Sequence, residues 1–333
     1  MRIASPILPL FAAALLAAGC GSSSSDEEDT AGSGPMAVES VSSADFPQAK
    51  GKRLSELREG MQGGIVLAPS VSVLDPGMNR YGFALFDAAR KQIAGTPVAV
   101  YVSKPDGSAV RGPFIARSES LEVKPQYQAV STKEDPDSGK SVYVAHIDFP
   151  GAGKFRISAI AELDGRLVST SSFGASVTAG NEGEPPAVGD PAPKVHTPTI
   201  ADVAGDAERI STRNPPAEGL LKTDLADVYG KKPVLLLFAT PALCASRTCG
   251  PVVDILEQTR AEYGKDDIAF IHNEIYRENR VDQGLRAEPA AFRIPTEPWL
   301  FVIGRDGRIV ERIEGAFSAA EAKQAVEAAR SSG

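Results

Sequence analysis

Two thiols able to exchange electrons stand at Cys244 and Cys249, inside "FATPALCASRTCGPVVD", Phe238 to Asp254, and they are two of the three cysteines in a chain of 333 residues. Thiol–disulfide chemistry needs a thiolate that is stabilised, exposed and facing a second sulfur. A helix N-terminus supplies the stabilisation, because its free N–H groups and its dipole favour negative charge. Cys249 is placed for that if a helix begins near Gly250, with Pro251 in a first turn where its missing N–H costs nothing. The residue after Cys249-Gly250-Pro251 is Val252, so any partner thiol must come from upstream. Within a continuous helix, residues five apart have Cα atoms roughly 8–9 Å apart, whereas a disulfide wants about 4.4–6.8 Å. Cys244 must therefore sit in a loop folded back over the helix start, or the helix must unwind on oxidation. Pro241 and the weak helix formers Ser246 and Thr248 favour the loop.

The elements around this stretch follow from periodicity. "PVLLLF", Pro233 to Phe238, is a continuous apolar run suited to a strand buried on both faces. Pro251 to Tyr263 reads as a helix stopped by Gly264. "IAFIH" from Ile268 is a second buried strand, and a short helical piece is expected around Glu288 to Phe292. "WLFVI" from Trp299 and "RIVERIE" from Arg308 form a hairpin around Asp306-Gly307. Ser318 and Glu321 make a capping box for a last helix. Upstream, from about residue 62 to 180, short alternating segments are separated by turn signals such as Asp75-Pro76-Gly77 and Pro105-Asp106-Gly107. "RYGFALFD", "PVAVYVSK", "SVYVAHIDF" and "KFRISAIAEL" are the clearest. About seven strands without a long helix predict an all-β, immunoglobulin-like sandwich, read as a spacer or docking module. The Pro- and Gly-rich segment 181–190 is the expected linker, and 191–333 the second domain.

The formal net charge of -8 and the lack of any basic run exclude nucleic acid as the expected partner. Arg2 followed by an apolar stretch from Ile7 to Ala18 is too short to span a bilayer and reads as an export signal over residues 1–19. The stretch ends "LLAAGC", which resembles the lipobox of bacterial lipoproteins. That resemblance implies cleavage before Cys20, acylation of its thiol, and anchoring on the extracytoplasmic face of the membrane. With Cys20 lipidated, Cys244 and Cys249 are the thiols left, and a disulfide between them is implied. Residues 20–61, Ser-rich and acidic at their start, are expected to be a disordered tether.

Strand, helix, strand, short helix, strand, strand, helix is the thioredoxin order, and the segment from about Val188 onward resembles membrane-anchored thioredoxin-like proteins. "VGDPAPKVHTPTIAD" is similar to their lead-in, "VLLLFATP" to their first core strand, and "TEPWLFVIGRDGRIV" to the strand carrying their cis-proline. The resemblance implies an α/β thioredoxin-like fold, Cys249 as attacking thiol, Cys244 as its partner, and Pro298 as the cis-proline shaping the substrate groove. Pro295 is the competitor for that place. It also implies exchange with extracytoplasmic protein thiols and disulfides, without cofactor or metal. The family's buried acid is missing from Val234 to Leu237, and Glu297, beside Pro298, is the carboxylate expected to act instead. An ionised Glu297 would raise the thiol pKa, and Arg247 would lower it.

Two other readings compete. "TPALCASRTCG" also resembles peroxiredoxins whose two cysteines are separated by four residues, with Cys244 attacking peroxide and Cys249 resolving the sulfenic acid. Their threonine lies three residues before the first cysteine, whereas Thr240 lies four before Cys244, and only Arg247 and Arg293 are offered for their arginine. Alternatively the pair is a structural staple in an envelope scaffold, worth about 2 kcal/mol for so short a loop. His146, His196 and His272 form no cluster, and His272 reads as a strand-end residue rather than a metal ligand. Asp266-Asp267 and Glu311/Glu314 read as solvated charge.

Overall fold

Residues 41–179, 183–264 and 267–332 are described by a computed structural model. The export signal, Cys20 and Asp266 lie outside the described residues. Nine strands make the first sheet: β1 (Gln62–Pro69), β2 (Gly77–Phe86), β3 (Gln92–Ile93), β4 (Val98–Ser103), β5 (Arg111–Ser120), β6 (Ser141–Phe149), β7 (Gly153–Leu163), β8 (Arg166–Thr170) and β9 (Phe173–Val177). The expected strands fall inside β2, β4, β6 and β7. Their pairing is not that of a sandwich. Ladders run β1–β8–β7–β4–β5–β6–β2, and β2 pairs back onto β1 through Val66↔Phe86 and Pro69↔Phe83. The β1–β8 ladder is parallel and the rest are antiparallel. Seven strands thus close into a mixed barrel, with β3 and β9 attached outside the circuit.

Closure fills the barrel with one set of alternating side chains, including Phe83, Leu85, Val98, Val100, Tyr143, Ile147 and Ile157. β4 is buried on both faces. Its outward residues Ala99 and Tyr101 are covered by Phe46, Leu54 and Leu57, and the Tyr101 hydroxyl donates to the Pro47 carbonyl at 2.8 Å. Residues 43–57, expected within the tether, are therefore folded onto the barrel wall and include the short helix α1 (Leu54–Leu57).

The second sheet is separate and has four strands, in the order β11 (Ala269–Asn273), β10 (Val234–Phe238), β12 (Trp299–Ile303), β13 (Ile309–Glu314). β10 and β11 are parallel, and the other two pairings antiparallel. One face carries Leu235, Leu237, Phe270, Leu300 and Val302 against α4 (Cys249–Tyr263) and α6 (Ala319–Ser331). The other packs Leu236, Phe238, Trp299 and Phe301 with Phe292 and Leu225. The remaining helices, α2 (Val130–Glu134), α3 (Leu225–Val228) and α5 (Ala287–Ala291), are one turn each. The expected architecture, an immunoglobulin-like sandwich followed by an α/β thioredoxin-like fold, is thus replaced by a closed mixed barrel plus a four-stranded sheet with few helices. Strand alternation looks alike in a sandwich and a barrel; only the non-local β1–β2 and β1–β8 ladders separate them.

Barrel and second sheet fall within one unit, 33–333. Glu314 joins them, accepting from Ser72 N–H at 2.9 Å, Ser72 Oγ at 2.7 Å and Val73 N–H at 2.9 Å. Far from being solvated charge, it is only 7% exposed. Arg80 pairs with Glu321 at 2.7 Å and Arg312 with Asp75 at 2.6 Å across the same boundary. Burial likewise raises the pKa of Glu311.

Candidate active site

α4 starts two residues earlier than its apolar period predicts, at Cys249, with Thr248 as N-cap and Gly264 at its end. Ahead of it, Thr240 to Thr248 forms a tight loop. A turn is closed by Arg247 N–H donating to the Cys244 carbonyl at 3.3 Å, and Arg247 takes a left-handed φ of 59°. The chain therefore doubles back over the helix start, as the spacing of the two cysteines requires.

Both thiols are free and buried, Cys249 wholly and Cys244 at 5% exposure. The Cys244 thiol is pulled down to about 6, first by a hydrogen bond from the Cys249 thiol. Burial opposes this, and the Ser246 hydroxyl and the backbone N–H groups of Cys249 and Thr248 add to it. Ser246 Oγ lies 3.1 Å from Cys244 Sγ and 2.9 Å from Thr248 Oγ1. Cys249 is pushed well up, chiefly by burial, then by its bond to Cys244 and by the Cys244 charge. Cys249, expected as the attacking thiol, is the first residue of α4 and is wholly buried, while Cys244 in the loop ahead of it keeps the small exposure.

Glu297 and Pro298 are joined by a cis peptide, and Pro295 is not part of one. Pro298 is buried and Glu297 half-buried. Burial, and then the Cys244 charge, raise the Glu297 pKa, and Glu297 in turn helps raise Cys249. The carboxylate expected to act on the thiols is thus electrostatically coupled to both. Tyr276, which the sequence reading missed, completes this side; burial and then Glu297 and the two cysteines raise its hydroxyl. Arg247 does not face the thiols but pairs with Asp135 at 3.3 Å, and Arg293 donates to the Glu184 carbonyl at 2.6 Å. The arginine that peroxide chemistry needs is not supplied by either.

The β5–β6 connection of the barrel, residues 121–140, lies over the helix start. Gly139 N–H donates to the Arg247 carbonyl at 3.0 Å. A Cβ on Gly139 would meet Thr248 Cγ2 at 3.0 Å, and one on Gly250 would meet Thr132 Oγ1 at 2.9 Å. Lower down, Lys124 N–H donates to Gln258 Oε1 at 2.8 Å and Ala129 N–H to Asp254 Oδ2 at 3.1 Å. Arg213 completes the clasp, donating to Asp254 Oδ1 and to the Tyr127 carbonyl, each at 2.7 Å. Of these residues, Arg247, Thr248 and Gly250 were singled out from sequence, but Gly139, Thr132, Arg213 and the rest of the clasp were not. The one signal was an Asp at 254 inside an apolar helix face.

No family model matches the chain, and no curated protein matches it. Among solved structures it is similar to a thiol:disulfide interchange protein of the thioredoxin family from Chlorobium tepidum TLS, at 17% identity and a TM-score of 0.28, over 44% of this chain and 97% of that one. The functional reading of the site stands on its sulfur geometry rather than on this likeness.

Proposed function

We propose that the chain exchanges thiols and disulfides through Cys244 and Cys249, outside the cytoplasm and tethered by a lipidated Cys20. The observation that carries this is the placing of two free thiols at the N-terminus of α4, Cys249 as its first residue and Cys244 in the loop that doubles back ahead of it, with each shifting the other's pKa. A structural staple gains nothing from such coupling. In the oxidising half-cycle the Cys244 thiolate attacks a substrate disulfide, forming a mixed disulfide and releasing one substrate thiolate. The Cys249 thiol attacks Cys244 Sγ as its proton passes to the departing substrate sulfur; the mixed disulfide breaks, the substrate leaves as a thiol, and Cys244–Cys249 is formed. The reverse sequence oxidises a dithiol substrate. Glu297 holds negative charge near the sulfurs, and the cis-linked Pro298 is assigned to shape the substrate's approach.

Trapping tests the assignment. Cys249→Ser should accumulate mixed disulfides through Cys244, and Cys244→Ser should accumulate few. Equal trapping by both variants, or by neither with a pair that resists mild reductant, returns the protein to the scaffold reading. Rapid peroxide consumption that needs Cys244 would favour the peroxidase.

A further inference from the structure

The barrel loop after β1, residues 70–73, reaches the chain on both sides of Glu297 through the end of β13. One connection runs through side chains. Glu314, the last residue of β13, accepts from Ser72 N–H, Ser72 Oγ and Val73 N–H on the barrel side, and from Thr296 Oγ1 at 2.6 Å on the other. Trp299 Nε1 in turn donates to Thr296 Oγ1 at 3.1 Å. An indole N–H only donates, so the threonine proton is committed to Glu314 and the hydroxyl is held from both ends. Glu314 Oε1 takes three of the four bonds, and Oε2 takes the one from Val73. Bonds to a carboxylate in so buried a place are of the strong, charge-assisted kind.

The other connection runs through the backbone. Gly315 N–H donates to the Pro298 carbonyl at 2.8 Å. Gly315 has a φ of 80°, and a Cβ there would overlap the Ser70 carbonyl oxygen, so glycine is what lets the barrel loop come this close. Thr296 and Pro298, the two neighbours of Glu297, are thus each one bond from residues 314–315, and those residues lie against the barrel loop. Glu297 is the member of this stretch whose charge reaches Cys249, and it feels the Cys244 charge in return.

We propose that Glu314 is a positioning residue for exchange: anchored by the barrel loop, it fixes Thr296 and thereby the wall formed by Glu297 and Pro298 beside which a peptide disulfide meets Cys244. This rests on the exchange reading above. Glu314 itself touches no substrate. A small reagent needs only the sulfur, whereas a peptide also needs the wall beside it, so the link bears on peptide binding. The barrel is then part of how the site is built rather than a spacer next to it.

The full chain, reduced and mixed with excess of a short peptide closed by one disulfide, should be oxidised at a rate that saturates with peptide. Thr296→Val cuts the link at the wall and is expected to raise the half-saturating peptide concentration about tenfold, with the limiting rate held. Alkylation of Cys244 by iodoacetamide at about pH 8, where its thiolate is already formed, should stay within about twofold. Thr296→Ser keeps the hydroxyl and should restore the wild-type half-saturation. Ser72→Ala, on the barrel side, should act in the same direction but less, since both N–H donors remain; it carries the test should Thr296→Val not fold. An unchanged half-saturation in both variants, a wild-type rate linear in peptide, peptide oxidation and alkylation lowered by one common factor, or no rescue by Thr296→Ser would overturn the link and leave exchange standing. A wild-type chain oxidised neither by the peptide nor by a small aromatic disulfide would overturn exchange itself.

Discussion

Cys249, the first residue of α4, draws the Cys244 pKa down in two ways, through its thiol and through its backbone N–H. One residue thus acts on Cys244 twice, and only one of those actions depends on its side chain. The alkylation rate of Cys244 should rise as pH passes through about 6 and fall about tenfold per unit below. Cys249→Ala removes the largest cause and should move that inflection upward. It should still lie below the ordinary thiol value, because the two N–H groups and Ser246 remain. Ser246→Ala should move it less. The same shift enters stability: for a thiol depressed from 9.0 to about 6, the contribution is complete above the unfolded value and lost as pH falls through the folded one. An inflection unchanged in Cys249→Ala would refute the coupling.

Glu297 pushes the opposite way. Its charge raises Cys249, and the Cys244 charge raises it in return. Glu297→Gln should lower the alkylation inflection and speed the reaction severalfold near pH 6, with stability to urea little changed. A slower reaction would mean that Glu297 positions the loop instead of charging the groove.

The packing of Thr132 over Gly250 predicts a non-additive pair. Ala in a helix interior is favoured over Gly by about 0.8–1 kcal/mol, yet a Cβ at Gly250 would come within 2.9 Å of Thr132 Oγ1. Gly250→Ala alone should be neutral or destabilising and should loosen the strap, raising Cys244 reactivity. Combined with Thr132→Ala it should become stabilising. A double-mutant cycle by urea denaturation measures the coupling, expected at about 0.5–3 kcal/mol.

What the sequence made legible divides by range. Local chemistry was readable: the cap Ser318 with Glu321 forms as its spacing dictates, and the loop before Cys249 follows from Pro241 and the weak helix formers Ser246 and Thr248. The cis bond before Pro298, placed by resemblance, is present. Non-local facts were not readable. Barrel closure depends on β1 meeting both β2 and β8, which no alternation encodes. The burial of Cys249 was not readable either, because it follows from the helix starting at Cys249 itself and packing that residue against the sheet. Glu314 reads as surface charge until the barrel loop that donates to it is in place.

The Arg213–Asp254 pair carries the last prediction. Asp254 is fully buried and Arg213 is 6% exposed, with Nε and Oδ1 2.7 Å apart. Both carboxylate oxygens accept, the second from Ala129 N–H, and the guanidinium also reaches the carbonyl of Tyr127. Two buried ions repay their desolvation only while every such bond holds. Asp254→Asn keeps the shape but strands the Arg213 charge, and should cost about 3–5 kcal/mol. Because the same bonds pin residues 127–129 to α4, the loss should extend to the strap. Cys244 should then alkylate faster at fixed pH while its inflection stays near the wild-type value, because none of the groups that set it is removed. Replacing both ions, as in Arg213→Met with Asp254→Leu, should recover stability but not the wild-type shielding of Cys244, since no donor or acceptor would then tie the strap down. Hydrogen exchange at Ala129 and Gly139 reads this directly, and protection retained at both amides in the double variant would show that apolar packing alone holds the strap.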